Sequence, residues 1–361
     1  MKIQIWDSIE SGLEEKSNMA TIKEIAELAG VSTTTVSNVI HGKTKKVSPA
    51  TIKKVEHLIK EVGYVQKMGL RVLNKENSQL IAVVINYHKD FKDSILGDPF
   101  YGKIIGFIEE YLQKYGYYMM LYSTKDIEKI FQMVIGWNVD GVIAISFSKH
   151  NCEKIYQLVK KTIVSIDAYG DVDAGEEGHV INVGLDDESG GYQMTKYLLE
   201  FGYEHIKVCA GRDSGVDHLR YVGAQRAMKD YSRENQKIQF IALGMNKEKR
   251  RENYEWLLQR RQPKTVLFFL SDMYALEAIN YFADKKIQIP EEMGIVGYDD
   301  IIYSEFSNPR LTTVKQDVKE KAKRAVEILL QQIDGQVVEE KEIKLPVRLI
   351  KRKSAKEQGR E

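Results

Sequence analysis

The chain has 361 residues, of which 43% are hydrophobic and 29% charged, a composition that excludes collagen-like, fibrous and wholly disordered classes. Its 53 Lys and Arg residues nearly balance its 52 Asp and Glu residues, for a net charge of +1. Cys152 and Cys209 form neither a disulfide framework nor a zinc-binding spacing, and no run of ~18 apolar residues indicates a membrane span. We therefore expect a reduced, cytoplasmic protein of two or three domains.

The charge is unevenly distributed along the chain. Residues 1–18 carry two Lys and four acidic residues, whereas residues 19–74 carry nine Lys or Arg against four Glu, for a net charge of +5. A small basic segment ahead of a slightly acidic body is typical of a polyanion-binding module attached to a second domain. A solvated helix surface can carry the same basic charge, so charge alone does not distinguish it from a polyanion-binding module.

The basic segment predicts two short helices joined by a tight turn. Thr21 and Glu24 fit a capping box, apolar residues follow at helical spacing, and Gly30 ends the first helix. Ser32 can cap a second helix that begins only two residues later. Two short helices joined by a glycine-containing turn indicate a helix-turn-helix.

The second predicted helix, over residues 33–40, has one apolar and one polar face. Val36, Val39 and Ile40 fall on the apolar face, whereas short hydroxyl and amide side chains, such as Asn38, fall on the other. Consecutive threonines are poor helix formers, so helix stability does not explain them. Short polar side chains allow a helix to lie deep in the major groove of DNA, whereas a merely solvated face usually contains Lys and Glu. The pattern favours base reading.

A basic loop and a third helix complete this segment. Residues 41–46 contain three lysines suited to phosphate contacts. Ser48 caps a helix with Pro49 at its first position, and one apolar stripe closes the small core before Gly63 ends the helix.

At this point the sequence resembles the lactose-repressor/galactose-repressor (LacI/GalR) family of transcription regulators. The matching motifs are residues 19–23, 29–32, 35–37 and 63–64, in the family's order, and the likeness continues over nearly the whole chain. The resemblance implies a helix-turn-helix DNA-binding domain over 19–64 and a hinge helix with its linker over 65–78. Residues 1–18 lie outside it and form an N-terminal extension.

The predicted DNA contacts follow from the polar helix face and from the resemblance. Thr33, Thr34 and Asn38 are expected to read bases, while neighbouring hydroxyls and one lysine hold phosphates. In the hinge, Leu73 is expected to wedge between base steps of the minor groove with Arg71 near the phosphates. A flexible linker in which Leu73 caps the body's core is the alternative. Leu70, where the family has alanine, strengthens that alternative, but the wedge stays the prediction. The expected DNA-binding residues are Thr21, Ser32, Thr33, Thr34, Thr35, Ser37, Asn38, Lys43, Arg71 and Leu73.

From residue 79 onward, short apolar runs alternate with helical patterns, which indicates parallel sheets with helices on both faces. About 275 residues suit two lobes. The predicted strands are 81–85, 118–122, 141–145, 162–166, 179–183, 206–209, 265–270 and 294–296.

The resemblance implies a periplasmic-binding-protein-like arrangement of two lobes around a cleft, over residues 79–354. Three crossovers are expected near 169–180, 304–313 and 334–342. The first lobe would then contain about 79–170 and 308–336. The second lobe would contain about 178–305 and 338–354, followed by a C-terminal tail over 355–361.

The cleft residues are sought where strands end, because ligands of parallel sheets bind at the carboxyl ends of the strands. An arginine in an Arg-x-x-Gly motif and an aspartate in Gly297-Tyr298-Asp299-Asp300 match family ligand positions. The alternatives are a surface arginine, a turn aspartate and aromatic core residues. Ser271 and Ala168 replace the family's asparagine and arginine, which weakens the case for an ordinary hexose. The expected effector-binding residues are Phe100, Tyr101, Asp167, Arg220, Ser271 and Asp299.

The functional prediction is a binding protein rather than an enzyme. The seven histidines show no metal spacing, and no nucleophile or phosphate-loop motif is present, so we expect no catalytic residue, metal or cofactor. The resemblance implies a repressor of a catabolic operon that binds a pseudo-palindromic operator as a homodimer or a higher oligomer. A small-molecule effector, a sugar by expectation with nucleobase-like ligands open, would control it. The alternative is a solute-binding or sugar-processing protein with a non-functional basic head.

Overall fold

The protein divides into two compact units, residues 1–76 and 77–361. The predicted hinge residues Arg71 and Leu73 lie outside the described part of the chain. The structure, a computed structural model, describes residues 21–40, 42–64, 77–86, 94–170 and 178–358.

Within residues 21–40 and 42–64, the first unit contains three α-helices, as predicted. The capping box is formed, since the Thr21 amide donates to Glu24 Oε2 at 2.6 Å and the Glu24 amide donates to Thr21 Oγ1 at 3.3 Å. Ser48 caps the third helix by accepting from the Thr51 amide at 3.2 Å. The helices are α1 (Ile22–Ala29), α2 (Thr33–Ile40) and α3 (Pro49–Glu61), with a 3-10 turn at Thr44–Lys46. Their small shared core contains Ile25, Ala26, Ala29, Val36, Val39 and Val55.

The second unit contains two α/β lobes, as the alternating pattern predicted. The first lobe is built on a six-stranded parallel sheet in the order β11-β5-β4-β3-β1-β2. Its four central strands are buried on both faces, and in the first of them along the chain Ile81 and Val83 belong to one core cluster while Ala82 and Val84 belong to another. The strands are β1 (Leu80–Ile85), β2 (Tyr118–Ser123), β3 (Gly141–Ile145), β4 (Thr162–Ile166), β5 (Ile181–Leu185) and β11 (Glu342–Leu345).

The helices of the first lobe cover both faces of that sheet. The last of them in the chain, over residues 318–333, returns from the second lobe and packs on the helix over residues 99–114 and on β3 and β4. These helices are α4 (Pro99–Lys114), α5 (Ile127–Gly136), α6 (Lys149–Val159) and α12 (Val318–Ile333).

The second lobe has a four-stranded parallel sheet in the order β7-β6-β8-β9 and an antiparallel pair, β10 with β12. Its strands are β6 (His205–Ala210), β7 (Lys237–Ala242), β8 (Thr265–Phe269), β9 (Gly294–Val296), β10 (Thr313–Lys315) and β12 (Arg348–Ile350). Its helices are α7 (Asp187–Glu200), α8 (Val216–Tyr231), α9 (Lys247–Gln259), α10 (Asp272–Asp284) and α11 (Ile302–Phe306).

The division between the lobes differs from the expected boundaries. β5 pairs with β4, and β11 pairs with β5, so residues 181–185 and 342–345 belong to the first lobe's sheet. The first and third crossovers therefore follow β5 and β11 instead of preceding them, and β10 stays with the second lobe. A buried parallel strand is a short apolar run in either sheet, so its sequence does not reveal which sheet it joins.

None of the helices in the described ranges combines the length and the apolar character needed to cross a membrane.

Candidate functional site

The polar face of α2 is exposed to solvent. Thr33 and Thr34 are exposed, Ser37 and Asn38 are partly buried, and the opposite face buries Val36 in the core. The helix therefore presents short hydrogen-bonding side chains on the surface that the sequence analysis assigned to bases.

Three of the other predicted DNA-binding hydroxyls make bonds within the domain. Thr21 belongs to the α1 capping box, and Ser32 Oγ lies 2.9 Å from Thr35 Oγ1 while accepting from the Thr35 amide at 3.1 Å. These three side chains position α1 and α2, so any contact they make with DNA is additional to a structural role. Lys43 is exposed beside the 3-10 turn, together with Lys45 and Lys46.

The two lobes enclose a cavity of about 290 Å³ at the carboxyl ends of their strands. Asn86 and Ser146 follow strands of the first lobe, and Arg212 follows β6 in the second. All six residues expected to bind an effector line this cavity: Phe100, Tyr101, Asp167, Arg220, Ser271 and Asp299.

The first-lobe wall is formed by the start of α4. Asp98 caps this helix by accepting from the amide of Phe100 at 2.8 Å, which fixes the direction of both aromatic side chains that follow it. The hydroxyl of Tyr101 hydrogen-bonds Ser146 Oγ at 3.0 Å. Burial raises the pKa of Tyr101 to about 12, so this phenol stays neutral.

Asp167 is bound by a lysine that the sequence analysis did not select. Lys321 of α12 is fully buried, and its Nζ donates to both oxygens of the Asp167 carboxylate at 2.8 Å. The same Nζ donates to Gln316 Oε1 at 3.1 Å, and Gln316 Nε2 donates to Asp299 Oδ1. A continuous hydrogen-bonded chain therefore joins the cleft carboxylates of the two lobes through the crossover at Gln316.

Both of these carboxylates sit on unusual backbone. The φ angle is 121° at Asp299 and 53° at Asp167, a region that residues with a Cβ rarely adopt. Such conformations cost about 1–3 kcal/mol each and concentrate at functional sites. Ser271 Oγ donates to Asp299 Oδ2 at 3.3 Å, which orients the Asp299 side chain further.

Arg220 is held by ion pairing and by close packing of two helices. Its Nε donates to Asp187 Oδ1 at 2.8 Å, its Nη1 donates to the Leu270 carbonyl at 2.7 Å, and its guanidinium lies 3.8 Å from the centre of the Tyr298 ring. Asp299 Oδ1 lies 3.9 Å from its Nη1. The arginine is thus a buried residue at the cavity wall with most of its polar groups engaged.

The contact between α7 and α8 requires two glycines. A Cβ at Gly191 would lie 1.8 Å from the carbonyl oxygen of Arg220, and one at Gly223 would lie 1.8 Å from the carbonyl oxygen of Glu188. The helix backbones therefore touch, and this contact brings Arg220 of α8 to Asp187 of α7. Gly223 is the glycine of the Arg-x-x-Gly motif, so the close contact of the two helices explains why this position of the motif is a glycine.

An acidic residue of α8, Asp217, also lines the cavity, and its carboxylate lies 3.7 Å from Arg220 Nη1. Burial raises the pKa of Asp217 to about 7, against the opposing charge of Arg220. Behind the cavity, Asp272 accepts from Ser304 Oγ and Thr313 Oγ1, both at 2.6 Å, which fixes the loop containing Asp299. Burial raises the pKa of Asp272 well above its ordinary value.

Sequence reasoning missed Asn86, Gln316, Lys321, Asp187 and Asp217. For Lys321 a signal exists, because it falls on the same helix stripe as buried Val318 and Ala325, where a lysine requires an acidic partner. The others follow strands or begin helices, as many surface residues do. Within the described ranges, no group of His, Cys, Asp and Glu residues is placed to hold a metal ion.

Comparisons with known proteins bear on both units. The family described as "Bacterial regulatory proteins, lacI family" matches residues 21–67, and the "Periplasmic binding protein-like domain" matches residues 195–355.

Two similar relatives carry the name "HTH-type transcriptional repressor PurR". The protein from Aliivibrio salmonicida (strain LFI1238) is 31% identical over 342 residues, which cover 93% of this chain and 99% of the relative. The protein from Haemophilus influenzae (strain PittEE) is 31% identical over 346 residues, which cover 94% and 99%.

Among solved structures, the lac repressor dimer bound to operator and an anti-inducer aligns with a TM-score of 0.76 at 23% identity, covering 93% of this chain and 98% of that one. This likeness establishes the fold. The complex of the transcriptional regulator CelR with cellobiose aligns with a TM-score of 0.66 at 26% identity, covering 93% and 100%.

Proposed function

The chain belongs to the LacI family of bacterial regulatory proteins, and we propose that it represses transcription by binding a pseudo-palindromic operator under the control of a small molecule in the interlobe cleft. The proposal depends on one observation: the same chain has an exposed polar helix face in its first unit and a cavity lined by polar side chains in its second. The function requires binding only, and no catalytic step enters it. The alternative of a solute-binding or sugar-processing protein leaves the polar face of α2 without a use.

We assign base reading to the exposed face of α2. Thr33, Thr34 and Asn38 would contact base edges, and Lys43 beside the 3-10 turn would contact phosphates. Arg71 and Leu73 lie outside the described residues, so their roles in the minor groove stay predictions from the sequence.

The operator-binding form is a homodimer in this proposal. One short recognition helix reads only a few base pairs, whereas two helices related by a two-fold axis read a longer pseudo-palindrome. The second unit offers an apolar surface for self-association, because Ile302, Tyr303 and Phe306 of α11 are 62%, 54% and 72% exposed.

The effector is a small polar molecule, with a sugar as the expected class. The cavity of about 290 Å³ lies at the lower end of the ~300–1,000 Å³ typical of small-molecule sites, so it suits a ligand of about monosaccharide size. Aromatic rings at Phe100 and Tyr101 can stack against a sugar face, while Asp299 accepts from hydroxyl or N–H groups. A cellobiose complex of a relative with the same fold supports this class.

A ligand that touches both lobes can control DNA binding only through its different affinity for two lobe arrangements. The chain from Asp167 through Lys321 and Gln316 to Asp299 links the lobes across the cavity. A ligand that binds Asp299 competes with Gln316 for its oxygens, which couples occupancy of the cavity to the angle between the lobes.

The test combines a DNA-binding assay with Asp299→Asn, a variant that keeps the shape and backbone compatibility of the side chain. A binding-site selection supplies the operator, and a calorimetric screen of monosaccharides and nucleosides supplies the ligand. The variant should bind operator like the wild type but lose the ligand's effect on DNA binding.

Asp284→Asn, at the exposed end of α10, is the matched control and should respond to ligand like the wild type. A wild-type chain that selects no DNA sequence, or an Asp299→Asn variant with an intact ligand response, would contradict the proposal.

A further inference from the structure

Three carboxylates surround the single guanidinium of Arg220 at the second-lobe wall of the cavity. Asp187, Asp217 and Asp299 lie 2.8, 3.7 and 3.9 Å from the single guanidinium of Arg220. Two of the three nitrogens of Arg220 already donate to Asp187 and to the Leu270 carbonyl. Arg212 is the second described cation at this wall, and its side chain is solvent-exposed.

The cation of the first lobe does not face the cavity. Lys321 is fully buried and donates to Asp167 and Gln316, so its charge neutralises Asp167 inside the fold. Among the residues that the structure describes, the cavity walls and the hydrogen-bond partners named above contain three basic residues, Arg212, Arg220 and Lys321, against five aspartates: Asp98, Asp167, Asp187, Asp217 and Asp299. An anionic ligand would add charge of the sign already in excess.

Asp217 and Asn86 both place acceptor oxygens at the cavity wall. Among the described residues, Asp217 has no ionic partner closer than Arg220 at 3.7 Å. The buried Asn86 Oδ1 has no hydrogen-bond donor within that part of the chain, while its Nδ2 donates to the Ser146 carbonyl at 3.0 Å. A ligand that satisfies these groups must supply donors, and an ammonium group has three donors and no acceptor.

The apolar part of the wall also suits a cation. Phe100, Tyr101, Tyr169 and Tyr274 all line the cavity. Phe100 and Tyr101 pack edge to face, with ring centres 5.4 Å apart and an interplanar angle of 73°. Ring faces attract cations. Two of these rings already lie near cations of the protein, since Lys321 Nζ is 5.5 Å from the centre of the Phe100 ring and the Arg250 guanidinium is 5.4 Å from that of Tyr274.

From this charge, acceptor and ring arrangement we propose that the effector is an amine-bearing polyol of about monosaccharide size, with its ammonium group held at Asp217 and Asp299. The inference rests on the proposed function and narrows the ligand class of the same cavity. The proposed ligand class excludes phosphorylated and carboxylated molecules, because they carry negative charge. Burial is the main cause of the raised pKa of Asp217, with a smaller contribution from Asp299, and a bound ammonium group would favour the charged form of this carboxyl.

The experiment is isothermal titration calorimetry of the full chain at neutral pH with matched probes. Glucosamine, galactosamine and mannosamine are each compared with the parent hexose and with the hexose 6-phosphate. We expect at least one hexosamine to bind at least tenfold more tightly than its parent, and no phosphate to bind.

Asp217→Asn should weaken the hexosamine at least tenfold and change the affinity for a neutral hexose less than twofold. Asp230→Asn, on the exposed far end of the same helix, is the matched control and should leave both affinities unchanged.

Binding of a neutral hexose or a phosphate in preference to every hexosamine would overturn the inference, as would the absence of any hexosamine binding. Equal hexosamine affinity in Asp217→Asn would also overturn it. The proposed function is judged separately by whether whichever ligand binds alters operator binding.

Discussion

The buried pair of Asp167 and Lys321 gives a stability prediction of definite size. Lys321 is fully buried and Asp167 is about 10% exposed, with both carboxylate oxygens 2.8 Å from Nζ. Lys321→Met removes the cation and leaves a buried carboxylate without its counter-charge, which costs about 3–5 kcal/mol in comparable pairs. Combining it with Asp167→Asn removes the negative charge as well. Replacing both members of a buried ion pair by uncharged side chains often leaves the free energy of unfolding unchanged. The double variant should therefore recover most of the loss.

The assay is urea unfolding of the full chain, followed on the transition of the larger unit. Lys323→Met is the matched control, since Lys323 lies on the same helix in an ion pair with Glu320 at 3.8 Å and is 40% exposed. That exposed pair should be worth ~1 kcal/mol or less. A loss below ~1 kcal/mol for Lys321→Met, or a double variant as unstable as the single one, would refute the reasoning.

Two further predictions concern α8. Gly223→Ala should destabilise the second unit by at least ~3 kcal/mol in a thermal-unfolding assay, because the added Cβ would lie 1.8 Å from a backbone carbonyl oxygen. Gly106→Ala in α4 is the control: its Cβ would have no atom within 4 Å, so it should leave stability unchanged or raise it. The unligated wild type should lose stability relative to Asp217→Asn as the pH rises between ~4 and ~7, because a carboxyl with a raised pKa binds more protons folded than unfolded in that range. Parallel pH profiles for the two chains would contradict this assignment.

The three-helix domain was predictable because its signals are local. The capping box at Thr21, the glycine stop at Gly30 and the Ser48 cap each depend on residues a few positions apart, and all appear in the structure. Eight of the twelve described strands in the body were predictable for the same reason, since a short apolar run marks each of them. The sequence analysis missed β7, β10, β11 and β12, which are either partly exposed or only three or four residues long.

The cleft was only partly predictable. Arg220 and Asp299 were selected through family motifs, and the structure places them 3.9 Å apart across 79 residues of chain. Lys321 was missed because its partner Asp167 is 154 residues away, so no local pattern joins them. The lobe boundaries failed for a related reason, because pairing between distant parallel strands leaves no trace in either strand alone.

The most direct test of DNA reading by α2 is a binding-site selection with the wild-type chain and with Asn38→Ala. The wild type should return a pseudo-palindromic consensus, and the variant should lose preference at one base pair in each half-site by ~1–3 kcal/mol while keeping the rest. An identical consensus for both chains would contradict base reading by this face of the helix.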